Sequence, residues 1–408
     1  MEIPMSAASP ASADAAEKVQ GRLRPVTTFV FALATGTYAG NLYLAQPLIE
    51  MIGQDLQMST AILGVIVMLT QVGYALGMFF AGPLADITEN KRLILISVTC
   101  VVIGMLGISF STTPWMFLAA SFFVGISAIG TQIIVPLAAN LADDEKRGAQ
   151  IGTIMAGLLT GIMLARPASS FMASLWGWRA PFLVFAFLMT GIGILLTIYT
   201  PRYTPKTRYS YLNLIKSMLV LPLRSDSLRR RCVYQGIAFG VFNMFWTTSS
   251  LVLTDQFNLN YQEIALFAIA GAGGALAAPY AGRFADRGLT RIATGSVLII
   301  LLISLGLTVP LVHFKYLIVF ALTAVIIDAA VQANQVLGQA TIYAELPEAR
   351  ARANSMYMTS LFIGAGTGSL IAPAAYDYGG WVMVVSIAAG LVALTTIYWA
   401  TEYLSAKR

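Results

Sequence analysis

The chain has 408 residues, 57% of them hydrophobic and 11% charged, with a formal charge of +6 and a mean hydropathy of +0.75. So small a share of charge cannot cover a water-facing surface. The composition therefore excludes an ordinary soluble enzyme, a secreted disulfide scaffold and a nucleic-acid-binding domain, and leaves a membrane-embedded protein. Residues 1–25 are Ala/Ser-rich with mixed charge and read as a disordered cytoplasmic tail; the full-length apolar stretch that follows has no small-residue cleavage site. Twelve apolar stretches then succeed one another, at 26–49, 59–81, 93–111, 114–141, 148–174, 179–199, 231–253, 263–282, 291–311, 315–343, 352–375 and 380–402. At ~20 residues per crossing, twelve helices account for about 240 residues. The predicted class is an all-α membrane protein with twelve transmembrane helices in two pseudo-symmetric six-helix bundles.

The gaps are short except for 200–230, where Arg202, Lys206, Arg208, Lys216, Arg224, Arg229, Arg230 and Arg231 face only Asp226. This basic linker separates a bundle at 26–199 from one at 231–408, the latter ending in a short cytoplasmic tail. With both termini inside, 22 of the 25 Lys and Arg residues fall in cytoplasmic segments, and only Arg179 and Lys315 fall in outside loops. That is the positive-inside pattern of a multi-pass membrane protein with both termini in the cytoplasm.

The halves repeat. Gly82-Pro-Leu-Ala-Asp86 follows the second stretch and Gly282-Arg-Phe-Ala-Asp286 the eighth. Glu145-Lys-Arg147 opens the fifth and Glu348-Ala-Arg350 the eleventh, and Gln132 in the fourth matches Gln332 in the tenth. Two similar six-helix halves place a binding site near the midplane, where they face each other.

These features resemble the major facilitator superfamily across nearly the whole chain. The resemblance rests on twelve helices, a basic central loop and Gly-x-x-x-Asp after the second helix of each half. The first copy departs from the family pattern, running Ile87-Thr-Glu-Asn90 before Lys91-Arg92, whereas Asp286-Arg287-Gly288 keeps more of it. Asn41-Leu-Tyr-Leu-Ala-Gln-Pro47, Gly177-Trp-Arg179 and Val331-Gln-Ala-Asn-Gln335 resemble a bacterial branch described as drug-efflux-like proton antiporters. Antiporters of the superfamily often carry Gly-x-x-x-Gly-Pro in the fifth helix; here it reads Gly161-Ile-Met-Leu-Ala165-Arg166-Pro167. The resemblance also implies a cytoplasmic latch, in which Asp86 and Asp286 approach helix starts of the other half. Arg147, Arg350 and Arg352 are the partners it suggests, with Arg92 and Arg287 beside the loops. A carboxylate at a helix start meets free N–H groups and a favourable dipole. A solvated loop acid is the plainer alternative.

Asp328, near the middle of the tenth stretch, and Arg166, in the outer half of the fifth, are charges away from helix ends. Each costs at least ~2.5–3.5 kcal/mol at that depth, so each is expected to face a cavity or a partner. Asp328 reads as a proton-coupling carboxylate or as a structural acid satisfied by amides. Arg166 reads as a binder of an anionic solute, as the answering charge to Asp328, or as a snorkelling side chain. Asp328, Gln332, Gln335 and Gln339 share one helix face at i, i+4, i+7 and i+11. The seventh helix places Gln235, Phe239, Phe242, Trp246 and Ser249 on one face with Asn243 beside it; Tyr38, Asn41 and Gln132 come from the first and fourth. An amide-and-aromatic cavity with few fixed charges suits a small amphipathic organic molecule, while interhelical packing is the plainer reading of the same residues.

Cys100 and Cys232 read as buried thiols, and the single His313 cannot build a metal site alone. No phosphate loop and no nucleophile set occurs in the sequence, so neither an enzyme nor a cofactor is expected. The expected function is secondary active transport by a monomer in the lipid bilayer, most concretely proton-coupled efflux of a small-molecule substrate. Uptake or metabolite transport by symport or uniport, and a membrane receptor without transport, are the alternatives.

Overall fold

The computed structural model describes residues 23–143, 146–205, 210–346 and 349–405, which carry helices and no strand. The first helix, Pro25–Asn41, opens on a proline at the position where its missing N–H costs nothing, and continues as two short turns, Gln46–Leu48 and Ile49–Asp55. Gly64–Ala81, Asn90–Ser109, Pro114–Leu141, Arg147–Trp176 and Arg179–Tyr199 complete the first half. The second half holds Asp226–Asp255, an interrupted helix at Tyr261–Gly271 and Ala278–Asp286, then Thr290–His313 and Leu317–Glu345. The eleventh and twelfth helices are the arms of Arg350–Ser405, bent where Gly380 takes φ 62°, a conformation that favours glycine. Two helix starts are capped by side chains: the hydroxyls of Thr113 and Ser225 accept from the N–H groups of Met116 and Leu228.

Among the described residues nine helices are long and apolar enough to cross a membrane; taking the two arms of the last separately and adding the first and the interrupted eighth gives twelve, six in each half. A thirteenth helix, Tyr211–Arg224, lies between the halves. It turns Leu214 and Met218 inward, leaves Leu212, Leu219 and Leu223 exposed, and donates from the Tyr211 hydroxyl to the Phe80 carbonyl at 2.7 Å. Lys206 and Arg208 of the basic segment, and residues 1–22, lie outside the described residues. The outer surface carries bare apolar side chains such as Phe187, Ile198, Ile318 and Leu394, as lipid contact requires. Trp115, Trp176, Tyr316 and Tyr378 stand exposed at helix ends on one face, an aromatic belt. The opposite face carries Lys91, Arg147, Arg283 and Arg352 and is called the basic end below; the aromatic face is the far end.

Within each half, two helices touch through glycine. A side chain at Gly161 would run into the Gly36 carbonyl of the first helix, and one at Gly364 into the Gly236 carbonyl of the seventh. The first–fifth and seventh–eleventh pairs thus repeat the same close approach in the two halves. Ala165, where the fifth-helix motif expects a second glycine, packs against Gly40.

Candidate functional site

The halves meet around Trp246 of the seventh helix, which is 3% exposed. Its indole N–H donates to Asp328 Oδ1 of the tenth helix at 2.8 Å. The guanidinium carbon of Arg166, from the fifth helix, sits 4.7 Å from the centroid of the same ring. Trp246 therefore joins the two intramembrane charges, one from each half. The Arg166 Nε donates to Gln46 Oε1 at 2.8 Å, and Gln46 Nε2 donates to Asn243 Oδ1 at 3.3 Å and Thr247 Oγ1 at 3.2 Å. Thr247 bonds on to Ser369 of the eleventh helix. These amide and hydroxyl contacts tie the halves together beside Arg166. Nearer the far end Gly64 packs directly on the backbone of Ser369 and Leu370, so that end is closed.

Asp328 is positioned from behind as well. The eighth helix breaks into a tight six-residue turn, Ala272–Ala277, and Gly274 in it packs so closely that a side chain would overlap the Asp328 Cβ. The missing side chain at Gly274 thus lets the eighth-helix backbone approach the acid.

From Trp246 a row of rings runs toward the basic end. Phe242 lies 6.5 Å from Trp246 and stacks on Phe239 at 5.1 Å; Phe239 meets Phe362 at 5.7 Å, and Phe362 meets Tyr74 of the other half edge-on at 4.5 Å. The Tyr74 hydroxyl accepts from Gln132 Nε2 at 3.2 Å. Beyond it a cavity of about 360 Å³ lies between the halves at the basic end, lined by Met78, Gln132, Pro136, Met218, Arg352 and Asn354 among others. Tyr74 and Phe362 separate that cavity from the Arg166–Trp246–Asp328 layer.

Other candidates fall elsewhere. Tyr38 packs inside its own half, its hydroxyl 2.9 Å from Ser97 and its ring filling the space beside Gly130. Gln235 is fully buried within the second half, where its Oε1 accepts from Asn334 Nδ2 at 2.6 Å, an interhelical tie. Gln335 and Gln339 turn to the eleventh helix: Gln339 donates to Asn354 Oδ1 at 3.2 Å and both amides reach the Met358 sulfur. Gln332 is half-buried, and Asn41 is buried with both side-chain polar atoms unpartnered among the described residues. The polar face of the tenth helix is therefore divided, with only Asp328 in the Trp246 layer.

At the basic end the side chains of Asp86 and Arg350, and Glu145 and Glu348 entirely, lie outside the described residues. Arg352 lines the cavity between the halves, whereas Arg92 lies with Glu89 and Arg202 in a groove of the first half. Asp286 and Arg287 are exposed, and Arg147 is half-buried at the start of the fifth helix. Arg231, counted from sequence with the basic linker, instead lies inside the seventh helix. Buried there, it pairs with Glu402 at 2.9 Å and donates to Thr294 Oγ1 at 2.9 Å, tying the seventh, ninth and twelfth helices together. Gln46, Tyr43, Tyr74 and Phe362 were not singled out from sequence; Gln46 stands in the quoted Asn41–Pro47 motif, while an aromatic residue in an apolar helix carries no signal of its own.

A family model of the Major Facilitator Superfamily matches residues 31–327 and 231–405. The chain belongs to this superfamily. It is 36% identical to the uncharacterized transporter YgaY of Escherichia coli O157:H7 over 94% of this chain and 97% of that one. It is 28% identical to a probable transporter of Streptomyces coelicolor over 90% and 85% of the two chains. The crystal structure of the nucleoside transporter NupG superposes with a TM-score of 0.72 at 14% identity, covering 93% of this chain and 99% of that one. At that identity the likeness shows the fold alone. The protein is a multi-pass membrane transporter of this superfamily and not an enzyme.

Proposed function

We propose that the chain is a monomeric, proton-coupled exporter of small amphipathic organic molecules in the bacterial inner membrane. It works by alternating access, with the basic end and both termini in the cytoplasm. This keeps the drug-efflux-like antiporter reading of its motifs. The single observation that carries the coupling is the Trp246 indole, which holds the Asp328 carboxylate with its N–H and the Arg166 cation against its face. A group that trades a proton for a solute must sit where the halves meet and must feel the solute's arrival. Asp328 does so through Trp246, whose ring heads the aromatic row. Rocking the halves separates Gln46 from Asn243 and Thr247, opens the far end, and removes Arg166 from the Trp246 face. Asp328 then takes a proton from outside as the solute leaves, and releases it inward once the halves close again. The cavity at the basic end, with its methionines and amides, is the entry for an amphipathic solute. The latch around Asp86, Asp286, Arg147, Arg350 and Arg352 belongs to the closed form of that entry.

Purified protein in proteoliposomes, loaded with a panel of amphipathic compounds under an imposed pH gradient, tests this reading. Solute-dependent proton movement is expected. Solute movement without protons would replace antiport by uniport, and silence across the panel would return the receptor alternative.

A further inference from the structure

Arg166 is 6% exposed, and among the described residues its guanidinium makes no ion pair. Its Nε is used by Gln46, whereas its Nη2 is buried and meets no hydrogen-bond partner. The rings of Tyr43, Phe242 and Trp246, at 4.8, 5.3 and 4.7 Å, answer part of the positive charge but accept no N–H in the plane of the fork. Leaving a donor of a buried cation unmet is costly, so such a group is normally completed by an acceptor. One helical turn further toward the far end, Ser170 on the fifth helix and Ser250 on the seventh are also buried with unpartnered hydroxyls. Both helices run from the basic end to the far end, so these hydroxyls stand level with each other beyond the Arg166–Trp246 contact. On the other side begins the stacked Phe242–Phe239 pair.

We propose that Arg166 is the anion-binding residue of the substrate site, and that the transported solute is an organic monoanion: a carboxylate on a flat apolar body. The carboxylate takes the open Nη2 N–H, and the body lies along the aromatic row. Asp328, on the other edge of Trp246, sets the charge at one, because a second negative charge on the solute would meet its carboxylate across a single indole. The inference rests on the transport reading above, since it takes this layer to be the substrate site.

Equilibrium binding in lipid nanodiscs, with no gradient, tests it. The probes are 1-naphthoate and its neutral isostere 1-naphthamide, followed by calorimetry. The parent should bind the naphthoate at least about tenfold more tightly than the amide, because both can accept the guanidinium N–H but only the carboxylate adds an opposite charge and a second oxygen for the fork. Arg166→Gln should bring the two affinities together, with naphthoate losing at least about tenfold more than the amide. Arg166→Lys, which keeps the charge and loses the planar fork, should keep part of the preference, and it serves if the glutamine variant does not fold. Equal affinity for the two probes, no binding of either, or an undiminished preference in Arg166→Gln would overturn the proposal. Binding of naphthoate without proton movement would defeat only the coupling reading. Proton-linked transport of the amide with indifference to naphthoate would defeat only the anion site.

Discussion

Trp246→Phe separates two functions of one side chain. The phenyl ring keeps a face for the Arg166 guanidinium, now 4.7 Å from the indole centroid, and deletes the N–H that donates to Asp328 at 2.8 Å. A buried hydrogen bond to a charged acceptor contributes about 1.5–3 kcal/mol, roughly ten- to hundredfold in an equilibrium. With a neutral carboxyl acceptor the same bond is worth about 0.5–1.5 kcal/mol. The variant should therefore slow proton-driven accumulation in inside-out vesicles about tenfold or more. The deficit should shrink when the bath is acid enough to keep the carboxyl protonated. Trp381→Phe is the control: its indole N–H is also buried but donates to Thr308 Oγ1 at 3.1 Å, tying the twelfth helix to the ninth. That variant should lose about 1 kcal/mol of stability and keep its coupling. Accumulation by Trp246→Phe at the parental rate and pH dependence, or an equal loss in the control, would refute the link between Trp246 and Asp328.

Gly161→Ala should force the first and fifth helices apart at the Gly36 carbonyl and cost about 1–3 kcal/mol, lowering the melting temperature in detergent by a few degrees; Gly191→Ala, which meets open space, should leave it unchanged. Glu50, outside the spans at the far end, is pushed up by burial and by the neighbouring Asp255 carboxylate. A raised acid favours the folded, closed form below its ordinary titration range and loses that contribution as pH rises through the folded value. Melting curves of the parent should accordingly fall with rising pH above that range, and Glu50→Gln should flatten this part of the profile. In a cysteine-free background, Arg224→Cys should resist an impermeant thiol reagent in intact cells and Gln256→Cys should react, since the two exposed positions lie at opposite ends of the seventh helix and its lead-in; the reverse pattern would invert the orientation.

The twelve crossings were legible because membrane helices announce themselves by length and apolarity, and the glycine at 380 and the proline at 25 mark real boundaries. The two intramembrane charges were legible for the same reason, as each is expensive where it stands. What periodicity could not supply is which neighbour each face meets. Gln335 and Gln339 share a face with Asp328 by spacing, yet the eleventh helix passes close enough to take both amides. Tyr38 and Gln235 likewise turn to neighbours of their own half. The joint between Arg166 and Asp328 was illegible in a different way. It runs through Trp246 and Gln46, from segments far apart in the chain, and only the docking of the halves brings them together. The close approach of Gly274 to Asp328 was illegible too, since a small residue in an apolar helix does not say which neighbour it meets.

The most direct test of coupling compares two kinds of transport in Asp328→Asn. Asparagine keeps the size of the side chain and an acceptor for the Trp246 N–H but exchanges no proton. Reconstituted in proteoliposomes, this protein should bind solute and carry out downhill exchange near the parental rate, while accumulation driven by a pH gradient disappears. Undiminished gradient-driven accumulation would contradict the account and move the coupling away from Asp328.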